Sequence, residues 1–71
     1  MNYQEANQEQ FDSVIGKIGA ECTGHDAGRT HSIESFTRDG KHVGTRFSYK
    51  EHGARVWTYE LASFLCEAYL K

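Results

Sequence analysis

The chain has 71 residues, 38% of them hydrophobic, and a formal net charge of -2, which leaves room for one small core and none for a second, so residues 1–71 are read as a single domain. Two cysteines and no proline argue against a disulfide framework, a rigid linker and a polyproline ligand. No apolar run approaches the roughly 18 residues that cross a bilayer, and Met1 to Glu5 lacks the basic start and apolar stretch of a signal peptide; a cytoplasmic protein without membrane contact is expected.

The first element in chain order is a helix. Phe11, Val14, Ile15 and Ile18 fall at i, i+3, i+4 and i+7 and line one stripe. Asn2 with Glu5 three residues on reads as a capping box, and Gly19 stands where a helix end takes a left-handed residue, so the helix is predicted over about residues 3–18. The segment from Thr23 to Arg29 has two glycines, an aspartate and no periodicity, which is the composition of a loop.

From Thr30 the pattern becomes that of strands. Ile33 and Phe36 belong to a first run, Val43, Thr45, Phe47 and Tyr49 alternate in a second, and Asp39-Gly40 between them supplies the positive backbone angles of a type I′ hairpin turn. Side-chain alternation places Val43, Thr45, Phe47 and Tyr49 on an apolar face and His42, Gly44, Arg46, Ser48 and Lys50 on a polar, cationic one. Residues 54–59 fit either a short third strand or the start of a helix, with the strand preferred. Leu61, Phe64, Leu65 and Ala68 opposite Glu60, Ser63, Glu67 and Lys71 then predict a helix from Glu60 to about Leu70. The expected fold is α+β: an N-terminal helix, an antiparallel sheet of two or three strands built on the hairpin, and a C-terminal helix.

Charge is unevenly distributed. Residues 1–28 hold one lysine against five acids, residues 29–55 hold six Lys and Arg against three acids, and residues 56–71 hold one lysine against two acids. A central segment of +3 in a chain of -2 favours an electrostatically steered partner over catalysis, because a cationic patch selects an anionic surface without any reactive group. Arg38, Lys41, His42, Arg46, Lys50 and Arg55 are the expected contacts.

Other chemistries carry less support. Cys22 and His25 have a spacing that zinc accepts, but no second close pair follows, and a buried cysteine with a loop histidine accounts for them. Cys22 or Cys66 beside a histidine and an acid could form an activated thiol, yet no nucleophile turn or phosphate-cradling glycine loop accompanies them. No metal, cofactor or catalytic residue is therefore expected. The basic hairpin, with Trp57 or Tyr59 to stack, admits nucleic acid, although a sequence pI of about 6.0 is low for a dedicated binder. The nine aromatic residues (four Phe, four Tyr, one Trp) exceed what a small core hides, and Tyr3, Tyr59 and Tyr69 lie off the main stripes as interface candidates. A homodimer would supplement so thin a core.

A three-stranded sheet followed by a helix resembles, in layout alone, some small DNA-binding domains of the integrase-arm type, whose characteristic residues are missing here. The short chain without proline, repeats or catalytic motif is similar in kind to accessory proteins of phages and mobile elements. The expected function is that of a non-catalytic binding module that docks on, and modulates or inhibits, a protein with an acidic surface; the alternative is a small DNA- or RNA-binding regulator using the basic hairpin face.

Overall fold

The computed structural model describes residues 2–70. In chain order the elements are β1 (Tyr3–Ala6), α1 (Gln8–Ile18), β2 (Glu21–Ala27), β3 (His31–Arg38), β4 (Lys41–Glu51), β5 (Ala54–Ala62) and α2 (Ser63–Tyr69). All five strands pair antiparallel in one sheet of spatial order β1-β5-β4-β3-β2. The α+β class stands, whereas the expected two or three strands are corrected to five.

The hairpin around Asp39-Gly40 forms as its sequence dictates, with φ of 52° at Asp39 and 78° at Gly40. His52 and Gly53 repeat the device at φ of 52° and 81° and join β4 to β5. The segment 54–59 is accordingly a strand, and it runs on to Ala62, so α2 begins at Ser63, later than expected.

Two segments contradict the sequence reading. Residues 3–6 are a strand paired with β5, not the first turn of a helix, and α1 starts only after Asn7. Asn7 Oδ1 accepts from the Gln10 amide at 2.8 Å, and Gln10 Oε1 accepts from the Asn7 amide at 3.1 Å. The capping box therefore lies at Asn7 and Gln10, and Asn2–Glu5 is strand sequence with similar spacing. Asn7→Ala is expected to lower stability by about 1 kcal/mol in urea unfolding, because it removes the Oδ1 that accepts from the Gln10 amide, while the Asn7 amide can still donate to Gln10 Oε1. The expected loop over 23–29 is corrected as well: residues 21–27 form β2, an edge strand exposed along nearly its whole length. An edge strand exposed on both faces needs no apolar alternation, so periodicity gave no signal there.

Because β1 and β2 occupy opposite edges of the sheet, α1 between them crosses one face. Eleven residues reach about 16 Å and the sheet is about 19 Å wide between its outer strands, so the helix spans nearly the whole width. Its stripe is buried as expected: Phe11, Val14 and Ile18 are in the core and Ile15 packs beside them, while Gly19, at φ 68°, closes the helix by donating to the Ile15 carbonyl. Phe11 meets Phe36 edge-on at 5.3 Å and Tyr59 at 5.3 Å. Leu65 and Cys66 of α2 complete the core on the same face.

Candidate functional site

A single extra residue decides which side chains meet. Phe36 pairs with Gly44 but Thr37 pairs with His42, so Val43 is a β-bulge. An unbroken ladder from Arg38 opposite Lys41 would set Glu34 opposite Thr45; the bulge sets it opposite Arg46. The bulge also turns Val43 into the core and His42 to the other face, where His42 Nε2 lies 2.9 Å from Thr45 Oγ1 and Nδ1 lies 2.8 Å from the Tyr3 hydroxyl. His42 is thereby separated from the cationic residues with which alternation had grouped it.

The two faces of β4 are also used in the reverse of the expected sense. Gly44, Arg46, Ser48 and Lys50 share the face that carries the helices, and Thr45, Phe47 and Tyr49 lie on the face that no helix covers. Arg46 is the centre of an internal cluster. Its Nη2 and Nε reach Glu34 Oε1 at 2.7 and 2.8 Å, and its guanidinium lies 5.5 Å from the Phe36 ring centre and 5.8 Å from that of Trp57. Ser48 is fully buried and accepts from Arg55 Nη1 at 2.8 Å. The Arg46 charge is thus paired within the fold, and Arg55 is partly occupied.

What remains outward on this face is a shelf. Trp57 is 45% exposed and stacks on Tyr59 at 6.4 Å with 16° between the rings. Arg55 lies two residues from Trp57 on the same side of β5, and exposed Lys50 is its cross-strand neighbour. Among the described residues neither Lys50 nor Arg55 has a carboxylate partner. An aromatic plate flanked by two cations can bind a flat or apolar group and an anion together.

Arg38 and Lys41 lie elsewhere. They border an apolar groove of about 530 Å³ between the β3–β4 turn and α2, lined by Ile18, Val43, Phe64 and Tyr69. Lys41 and Lys50 are nine residues apart on β4, about 30 Å, so the six expected contacts form two separate clusters with His42 on the opposite face. Of the interface candidates, Tyr59 is core and Tyr3 and Tyr69 are exposed.

Compared with known protein families, curated proteins and solved structures, the chain matches none. Its chemistry is therefore read from its own side chains.

Cys22 and Cys66 do not share an environment. Cys22 is exposed on β2, its Sγ 3.9 Å from Glu34 Oε2, whereas Cys66 is buried, and burial pushes its thiol up, which keeps it neutral and apolar at pH 7. The bulge at Thr23 brings Cys22 and His25 to the same face of β2, yet His25 Nε2 pairs with Ser32 Oγ at 3.3 Å, and among the described residues no three His, Cys, Asp or Glu side chains converge as metal ligands. No described helix is long and apolar enough to cross a membrane. The pairing of Glu34 with Arg46 escaped the sequence reading; Gly44 within a strand was its available signal, because such a glycine often marks a bulge.

Proposed function

We propose that this chain is a non-catalytic binding module that docks on, and modulates, a protein partner through an acidic surface of that partner, with Trp57, Lys50 and Arg55 as the contact. The exposure of the stacked Trp57 beside two cations that have no carboxylate partner among the described residues supports the reading most directly. Trp and Arg are the residue types that most often dominate binding energy, and Lys50 adds long-range attraction. A chain of net charge -2 favours a partner whose acidic patch is local over a polyanion that would meet the whole molecule's field.

The test is salt-sensitive capture of a partner from lysate by the immobilised chain. Trp57→Ala is expected to weaken binding about thirtyfold, as for a central aromatic anchor, and Lys50→Glu to reduce its salt dependence. Capture unchanged in both variants overturns the reading. Arg46 is unsuitable for this experiment because its loss leaves Glu34 unpaired. The second reading, a nucleic-acid regulator, is favoured by the same plate and cations. It predicts capture that nuclease abolishes, and quenching of the single tryptophan by a single-stranded oligonucleotide, less so as salt rises.

A further inference from the structure

An antiparallel sheet with one face on its core ordinarily turns polar residues to water on the other. Over the half of this sheet beyond the helices the pattern is inverted. Ser32, Glu34, Arg46, Ser48 and Arg55 stand with Trp57 on the helix side, while Ile33, Phe47, Tyr49 and Val56 stand on the open side. Ile33 neighbours Phe47 in register, Tyr49 neighbours Val56, and the Phe47 and Tyr49 rings lie 5.6 Å apart, so the four make one continuous apolar patch. Each is only partly covered.

Charge on the open face is confined to its margins. Glu5 and Glu60 oppose each other beside the β1 edge, Glu21 and Asp26 lie on β2 at the other edge, and Glu51 stands at the end of β4. The central strands place Ser35, Thr45, Phe47, Tyr49 and Thr58 there, with His31 beside Tyr49 and His42 beside Thr45. No strand lysine or arginine shares this face: Arg46, Lys50 and Arg55 alternate to the other side, and Arg38 and Lys41 border the groove by α2. Among the described residues this surface has an apolar centre, acidic margins and no lysine or arginine, so it does not complement an acidic protein or a nucleic acid. Two copies can bury the apolar centre against each other while the acids of both stay solvated at the rim.

The area suffices. Five strands at about 4.8 Å spacing and some seven residues at about 3.3 Å give a face of roughly 550 Å². Two such faces cover about 1,100 Å² with the acidic rim included, at the low end of the ~1,000 Å² or more of specific interfaces, which suits an association that dilution reverses. We propose that the open face of the sheet is the interface of a homodimer, in which two copies stack face to face as a sandwich with their helices outside. The Trp57 shelf lies on the opposite face and stays exposed, so the assembled pair would present two such shelves pointing away from each other. The proposal does not depend on what the shelf binds.

The experiment is light scattering after gel filtration over a wide range of loading concentration. The wild-type chain is expected to approach about 16 kDa, twice its 8.1 kDa, and to fall toward 8.1 kDa on dilution. Phe47→Lys and Val56→Lys change partly exposed side chains, and both are expected to weaken association at least about thirtyfold with an unchanged circular dichroism spectrum. Phe64→Lys, on the groove by α2, is expected to leave the dimer intact. A wild-type chain of 8.1 kDa at every concentration overturns the proposal, as does a dimer that Phe64→Lys breaks and Phe47→Lys spares. If the lysine variants fail to fold, the wild-type protein decides. A soluble paramagnetic agent should broaden the Ile33 and Val56 methyl signals in dilute samples and spare them in concentrated ones; equal broadening in both overturns the interface.

Discussion

Phe11→Ala is expected to lower the unfolding free energy by about 3–5 kcal/mol, read from urea denaturation followed by circular dichroism. Phe11 is 1% exposed and joins both layers of the fold, with its ring edge-on to Phe36 of β3 and tilted against Tyr59 of β5. Removing the ring deletes the aromatic pairs and leaves a cavity under α1 that the sheet cannot fill by sliding, because β3, β4 and β5 are fixed in register by two tight hairpins. A chain of 71 residues has a total stability of about 4–10 kcal/mol, so this one change consumes much of it. A loss under 1 kcal/mol would mean that α1 does not depend on this contact.

Gly44→Val is expected to cost about 3 kcal/mol or more, and Gly44→Ala about 1–3 kcal/mol, by overpacking instead of by a cavity. A Cβ at position 44 would stand 3.1 Å from Phe11 Cε2, 3.1 Å from the Glu60 carbonyl oxygen and 3.3 Å from Leu61 Cδ2. The ring and the leucine can yield by a few tenths of an ångström, but the backbone oxygen on β5 is fixed by the sheet. Because Phe11 and Gly44 share the contact, their effects should not add: in a Phe11→Leu background the cost of Gly44→Ala should fall by about 0.5–1 kcal/mol. Full additivity in this double-mutant cycle would show that Glu60 and Leu61 on β5, and not Phe11, make the glycine necessary.

The features legible in the sequence are those whose physics is local. The stripe of Phe11, Val14 and Ile18, the left-handed Gly19 and the Asp39-Gly40 turn each declare themselves within a few residues, and each forms as read. The N-terminal strand did not declare itself, because Tyr3–Ala6 is a strand only by pairing with β5, some fifty-five residues away in the chain. The edge strand β2 was illegible for a related reason: nearly every side chain on it is exposed, and its strand character lies in backbone bonds to β3.

The candidate site shows the same division at the level of single residues. The basic enrichment of residues 29–55 follows from the sequence alone, as does the alternation that sets Arg46, Ser48 and Lys50 against Thr45, Phe47 and Tyr49. Tertiary structure decided which of those faces receives the helices, and it chose the one with Gly44 at its middle, where the absence of a side chain lets Phe11 approach β4. That choice encloses Arg46 with Glu34, buries Ser48, and turns Phe47 and Tyr49 toward the uncovered side. The bulge at Val43 then separates His42 from the cations and aligns Glu34 with Arg46. Alternation along a strand has period two and distinguishes the two faces; which face is covered depends on where a helix can pack, and that is settled by contacts between segments far apart in the chain.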